Sequence, residues 1–507
     1  EINGVRLPSR DSDLVDAGLQ ARAQALHSVM MTLGQAAALL PGSTVHGDAD
    51  VSIRRVHTDT RSLREGDLYV ALKGERFDGH AFMAQAAATG AAAVLGEHSL
   101  DQATVPGLQV GDSLKGLQQL ATAWRAQLRI PVIGVTGSNG KTTVTQMTSS
   151  ILQAWCGPQA GGTRGNLNNH IGVPLTVLTL RASGALAHRA AVIELGMNHP
   201  GEIAELAAIA QPTVAVVNNA QREHQEFMHT VLAVAEENGS VLQALPADGT
   251  AVFPANDEFA PLWQQMATKA HPRRVWRFAF EAVTADGQSL ALAGSGVQAE
   301  VQGWARDLGD HWTIDLQTPI GSAHVRLRMA GLHNVHNAMA AATAGLAAGA
   351  PLWAVEQGLG AFEPVQGRSM RLKIRRGDAD LALVDDSYNA NPDSVRAAID
   401  LLATLPEPRA LVLGDMGEVG EQGPAFHAEA GAHAAASGIT HLWCAGALSA
   451  HAAKAFGPTA RHFESVDALT AALPALPQVA SMLVKGSRFM RMERVVQALH
   501  PSSKGAH

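Results

Sequence analysis

Cysteine is scarce in this chain: 507 residues include two, Cys156 and Cys444. They lie far apart and outside any metal-ligand spacing, which argues against a zinc cluster or a disulfide framework and leaves free thiols. Long apolar runs are missing too. No stretch approaches the roughly 20 residues of a membrane-spanning helix, and nothing near the start resembles a signal peptide, so a cytoplasmic enzyme is expected. Positive charge is in short supply, the formal net charge being -8. That argues against a general nucleic-acid surface, and any phosphate-bearing ligand must be held by local donors. Aromatic residues make up only 4% of the chain against 46% hydrophobic content and 49 glycines. Such a composition suits alanine-rich helices packed closely on parallel sheets. At about one domain per 100 to 200 residues, the length allows three.

What is present begins with VIGVTGSNGKTT, residues 132 to 143. It looks like a glycine-rich phosphate loop but fails the pattern G-x-x-x-x-G-K-[ST]. The first glycine should stand where Val135 is, and Gly134 comes one place early. The physics survives the failed pattern. Ile130 to Val135 reads as a buried parallel strand, and Gly137, Ser138, Asn139 and Gly140 let backbone turn sharply and approach a phosphate. Lys141 adds a mobile positive charge. Thr142 and Thr143 open a helix whose unpaired amides would face the same anion. A glycine-rich strand-to-helix turn without a ligand is the alternative.

Strands alternating with helices predict an α/β fold with a doubly wound parallel sheet. A small α/β unit is expected over 30–110 with a strand at 68–72. A nucleotide unit follows over 111–366 with strands at 190–196 and 213–220. A third unit covers 367–501 with strands at 381–386, 410–416 and 482–487. Met30 and Met31 stand just before the helical stretch TLGQAAALL, so residues 1–29 read as a segment ahead of the enzyme's own start, and 502–507 as a loose tail. Ligands of open α/β sheets gather beyond the carboxyl ends of the strands, which makes the polar clusters there the candidates for chemistry.

Glu194 ends the apolar run AAVI. Magnesium beside nucleotide phosphates takes one or two carboxylates and keeps several waters, so a ligand belongs there; a solvated strand-end acid is the bland reading. His224, in NNAQREHQEF, could be a second ion ligand, although 22 histidines make any one of them weak evidence. Asn334 and Asn337 are three apart on a helix and share a face; they either read a base or ribose edge or serve as caps. In DDSYNANPDSVRAAID, an Asn-rich turn closed by Pro392 leads into a helix expected to be capped by Asp393 or Ser394. As a binding loop, Asp386 would accept from ribose hydroxyls while Asn389 and Asn391 donate to a peptide-like ligand. Lys485, Arg488 and Arg491 put positive charge at another strand end.

In chain order, TGSNGKTT, TRGNLNNHIGVP, ELGMN, NNAQREH, GLHNVHNA, GRSMR, DDSYNANPDS, LGDMGEVG and LVKGSRFMRME together resemble the Mur ligases, over about residues 30–499. The resemblance implies a UDP-substrate domain, a central ATPase and a Rossmann-like carboxy-terminal domain. It also implies an ATP-dependent amide ligase of peptidoglycan synthesis. ATP phosphorylates the terminal carboxylate of UDP-MurNAc-tripeptide, and the amine of D-alanyl-D-alanine attacks the acyl phosphate. Lys141 and the Gly137–Gly140 amides then resemble the phosphate cradle, Thr142 and Glu194 magnesium ligands, and His224 a ligand of a second Mg2+. Asn334 and Asn337 resemble adenine contacts, Asp386 a ribose contact, and Arg368 and Lys485 nucleotide partners. Thr163, Asn166 and Asn168, with Asp59, Thr60 and Arg61, resemble the UDP-substrate surface. NANPDS stands where the family's tripeptide-forming member usually carries DNPR, which favours the dipeptide-adding activity. A monomer is expected, associated with other enzymes of the same synthesis. EINGVRLPSRDSD resembles the end of that tripeptide-forming ligase, so a fusion of two consecutive enzymes is suspected. Members usually place a carbamylated lysine fourteen residues after the histidine; here Asn238 stands there, and it is expected to reach the second ion only through water. The alternatives are a folylpolyglutamate- or cyanophycin-synthetase-like ligase, or a nucleotide-switched binding protein.

Overall fold

A computed structural model describes residues 29–184, 187–290, 296–377 and 379–501. The suspected remnant over residues 1–28 and the tail at 502–507 lie outside the described residues. The chain forms two compact units. The first takes the chain up to Gly134 together with Leu152–Gly196 and Ala204–Thr213; the second takes Val135–Ile151, Met197–Ile203 and the chain from Val214 onward.

In the first unit a five-stranded sheet runs in the order Thr44–His46, Gly107–Gln109, Ala93–Gly96, Asp67–Val70, Arg55–His57. The outer pairing with Thr44–His46 is antiparallel and the other three are parallel. Asp67–Val70 and Ala93–Gly96 are buried along their whole length, as strands covered on both faces must be. The same unit holds the parallel pair Ala160–Gly162 and Ala190–Glu194, the latter buried throughout.

In the second unit Val214–Val217, Thr250–Pro254, Arg274–Val283 and Val301–Asp307 follow one another in parallel. Trp312–Thr318 and Gly321–Leu327 then extend the sheet antiparallel. This antiparallel edge is absent from the sequence reading, because its residues alternate buried and exposed and show no continuous apolar run. A second, six-stranded sheet runs Met370–Arg376, Ala379–Asp386, Ser481–Lys485, Arg409–Gly414, His441–Ala445, Ala460–Phe463; only its first pairing is antiparallel. Alternate residues feed opposite cores: Leu411, Leu413 and Cys444 on one face, Val412, Trp443 and Ala445 on the other. A fully buried leucine or valine of this kind contributes roughly 1.5–3 kcal/mol. Both cysteines are buried and free. Among the described residues, no helix is long and apolar enough to cross a membrane.

Candidate active site

Val132–Thr136 ends at the glycine-rich turn, and the helix Lys141–Cys156 starts directly after it. Gly137 and Gly140 have φ of +131° and +80°. A Cβ at Gly140 would come within 2.2 Å of Asn337 Oδ1 and 2.7 Å of Asn218 Nδ2, so both conformation and crowding demand glycine there. The turn is braced by its own fold. Gly137 N–H donates to Asn238 Oδ1 at 3.0 Å and Asn139 N–H to Asn219 Oδ1 at 2.9 Å, while Ser138 N–H donates to the Asn219 carbonyl. Three of the amides assigned to a phosphate cradle therefore have acceptors within the protein. The helix that opens at Lys141 points its amino-terminal end at the same place, and a helix amino-terminus is suited to an anion.

Lys141 folds back over the turn, its Nζ donating to Gly137 O at 2.6 Å, Ser138 O at 3.3 Å and Glu223 Oε1 at 2.8 Å. Glu223 is one of three consecutive charged residues held in ion pairs. Arg222 bonds bidentately to Asp393 and to Glu429. His224, at φ +48°, forms an ion pair with Glu418 through Nδ1 and lies 3.4 Å from Glu223 Oε1 through Nε2. Burial opposes the charge on His224, but the two carboxylates outweigh it and hold the imidazole up to about 9. Sequence reading selected His224 and passed over Arg222, Glu223 and Glu418; the one available signal was the run of charges in REH.

Asn334 and Asn337 are buried in the helix Leu332–Ala347, whose N-cap is Gly331. Asn337 Oδ1 accepts from Asn218 Nδ2 at 3.0 Å, and Asn337 Nδ2 donates to Asn334 Oδ1 at 3.2 Å. Asn218 Nδ2 also donates to the carbonyl of Asn139. The two amides thus form a relay beneath the phosphate turn and are not its caps.

Asn238 is fully buried; its Oδ1 accepts from the Gly137 amide and its carbonyl from Thr136 Oγ1, while its Nδ2 is buried without a hydrogen-bond partner. This corrects the expectation that it reaches an ion through water: its partner is the turn itself. Asn238→Ala should therefore cost about 1–3 kcal/mol of stability, the penalty of an orphaned buried donor. It should raise the KM for ATP, measurable by initial rates. Bicarbonate should leave the rate of the parent chain unchanged, since residue 238 carries no amine.

At the next sheet, Asp386 and Lys485 sit in register on adjacent strands. Lys485 Nζ donates to Asp386 Oδ2 at 2.6 Å and to the Asn389 carbonyl at 2.9 Å; Asp386 Oδ1 accepts from Ser369 N–H. Arg368 lies 4.3 Å from the Tyr388 ring centroid, with Arg488 at 5.5 Å, so the ring is flanked by two cations. Asn389 is exposed. Asn391, rather than Asp393 or Ser394, caps the helix Pro392–Ala403. The expected capping residues fall inside the helix because Pro392 takes the first helical position. Asn391 also bonds reciprocally with Asn139 of the phosphate turn, at 2.8 and 3.3 Å.

Asp257, just beyond the strand Thr250–Pro254, is a further strand-end acid that sequence reading did not select. Burial pushes its carboxyl up to about 6. With the folded value above the unfolded one, its contribution to stability falls as pH rises from about 4 to about 6 and is level beyond. Asp257→Asn should therefore raise the neutral-pH denaturation midpoint and leave that at pH 4 nearly unchanged, as chemical unfolding across this range would show.

In the first unit, Glu194 is 2% exposed. Its Oε1 accepts from Asn168 Nδ2 at 2.9 Å, and its N–H donates to Thr163 Oγ1 at 2.9 Å. Two residues assigned to a substrate surface thus hold Glu194, Asn168 through its carboxylate and Thr163 through its backbone. Asn166 is exposed on the same loop. Asp59 caps the short helix Thr60–Ser62 and pairs with exposed Arg61; the Arg61 guanidinium holds the Asp59 carboxyl down to about 2.

Three family models match the chain: the Mur ligase family catalytic domain over residues 52–125, the Mur ligase middle domain over 135–345, and the Mur ligase glutamate ligase domain over 370–488. The UDP-N-acetylmuramoyl-tripeptide--D-alanyl-D-alanine ligase of Escherichia coli K12 is 39% identical over 475 residues, covering 93% of this chain and 98% of that protein. The chain belongs to the Mur ligase family. The Bacillus subtilis ligase of the same name is 34% identical, covering 88% of this chain and 93% of its own. Among solved structures, a crystal structure of MurF from Acinetobacter baumannii superposes with a TM-score of 0.80 at 33% identity, covering 92% of this chain and 98% of that one. The fold is the Mur ligase fold, with amino-terminal, middle and carboxy-terminal domains of mixed parallel sheets and helices.

Proposed function

We propose that this Mur ligase joins D-alanyl-D-alanine to UDP-MurNAc-tripeptide at the expense of ATP, through an acyl phosphate, in peptidoglycan synthesis. The observation that carries the reading is the 39% identity to a ligase of that activity over nearly the whole of both chains. In this reading residues 30–110 receive the UDP-substrate, 111–366 the nucleotide, and 367–501 close the site.

A carboxylate is a poor electrophile until one oxygen becomes a good leaving group, which is what phosphorylation supplies. Lys141 then follows charge on the transferring phosphoryl group, exchanging Glu223 and two turn carbonyls for phosphate oxygens. Asn334 and Asn337 act from beneath, holding the turn in place through Asn218. Asp386 is fixed as an acceptor by Lys485 and the Ser369 amide, as a contact to ribose hydroxyls requires. Arg368 is kept beside Tyr388, within the same loop cluster. In the second unit the chemistry of the donors fits magnesium: Thr142 offers a hydroxyl and His224 an imidazole, and the buried Glu223 Oε2 beside His224 accepts no hydrogen bond; in the first unit Glu194 offers a carboxylate of the kind such an ion takes. Magnesium bound to nucleotide phosphates offsets their charge.

Phosphate release tests the assignment. It should require UDP-MurNAc-tripeptide, ATP and D-alanyl-D-alanine together, with the pentapeptide product appearing only then. ATP hydrolysis unaffected by the dipeptide, with no new amide, would replace the ligase by a nucleotide switch.

A further inference from the structure

Glu223 is a buried acid for which amide ligation as described has no task. It is 8% exposed. Its Oε1 holds Lys141 Nζ at 2.8 Å and lies 3.4 Å from His224 Nε2, and its Oε2 is buried without a hydrogen-bond partner. Across the imidazole, Nδ1 pairs with Glu418, so the ring is held with Nε2 toward Glu223. Lys141 is the residue a nucleotide phosphate must attract. Once it leaves, the two carboxylates Glu223 and Glu418 share the single positive charge of the His224 imidazole, and the excess negative charge in a poorly solvated place calls for a further cation. A second ligand atom, Nε2, is already in place, and binding of the cation displaces its proton to solvent while Nδ1–H stays on Glu418. A carboxylate on the far nitrogen of a histidine is the arrangement that orients metal-bound imidazoles.

We propose that Glu223 exchanges Lys141 for a divalent cation when nucleotide binds, sharing that ion with Nε2 of His224, and that Glu418 is the positioning residue that turns the imidazole toward it. The proposal rests on the reading of His224 as a magnesium ligand and adds two acids to it. It makes the ion pair with Lys141 a placeholder. The same carboxylate neutralises the lysine while the phosphate site is empty and the cation when it is filled.

Manganese binding to the complete chain with a non-hydrolysable ATP analogue, followed by electron paramagnetic resonance, separates the possibilities. The parent chain should bind two ions. Glu223→Gln should weaken one of them on the order of 100-fold and Glu418→Gln the same one on the order of 10-fold, as loss of a ligand and of its orienting partner would. Glu223→Asp, which keeps the charge, should hold that ion better than Glu223→Gln. In the absence of any divalent ion, Glu223→Gln should bind the analogue at least as tightly as the parent, because Lys141 is no longer held by an anion. Unchanged affinity for both ions in Glu223→Gln, or equal losses in the Asp and Gln variants, would overturn the role of Glu223 and leave that of His224 standing. A parent chain that takes up a single ion would remove both.

Discussion

Replacing Lys141 by alanine should lower ligation on the order of 100-fold or more, the scale expected for loss of a preorganised group that meets transition-state charge. Binding of the UDP-substrate should be nearly unaffected, since among the described residues the hydrogen bonds of Lys141 Nζ go to the phosphate turn and Glu223. The substitution also strands Glu223, so a modest fall in stability should accompany the loss of rate. Glu223→Gln in the Lys141→Ala background should restore the stability and none of the rate. Steady-state ligation, a binding titration with UDP-MurNAc-tripeptide and thermal unfolding together check this. Turnover retained within tenfold would remove Lys141 from phosphoryl transfer.

The other large effect is expected at Lys485. Its side chain is 4% exposed and that of its partner Asp386 16%, so Lys485→Ala leaves a carboxylate largely shielded from water with Ser369 as its remaining support. Breaking one side of a buried pair costs about 3–5 kcal/mol, and the partial exposure of Asp386 places this case at the lower end. Asn389 loses the donor to its carbonyl at the same time, so the loop leading to Tyr388 and Asn391 should loosen and ligation should fall with stability. Replacing Asp386 as well should recover part of the stability, because no charge is then left unpaired; activity should stay low. Urea unfolding of the two single variants and the double one measures the coupling directly. Additive losses would mean that the pair is not a unit.

The strands that were legible in the sequence are those buried on both faces. Ala190–Glu194, Val214–Val217 and Ser481–Lys485 are continuous apolar runs that stop at a polar residue, and each lies where that pattern puts it. Trp312–Thr318 and Gly321–Leu327 were not legible, because one face of each is wet and WTIDLQT and GSAHVRL each carry only three hydrophobic residues in seven. The site divides in the same way. Lys141 stands in a contiguous motif and can be read from it. Glu223, 82 residues away in the chain, becomes its partner only through folding, and the short run of charges in REH is all that marks it locally. Asn238 shows the limit of positional analogy: its place in the chain pointed to an ion, but with a short side chain and complete burial its amide serves the backbone of Gly137 instead.

The two cysteines stand in different places, Cys156 at the end of the helix that leaves the phosphate turn and Cys444 within the six-stranded sheet. Burial raises the thiol of each above its ordinary value, which suppresses the thiolate needed for attack on an alkylating reagent. Folded protein should therefore be a slow target, and modification of either sulfur should wait on local opening of the structure around it. Mass spectrometry of partly alkylated protein would then time two separate openings in one experiment: Cys156 reporting on the nucleotide-binding region and Cys444 on the carboxy-terminal sheet, without any label being engineered into the chain.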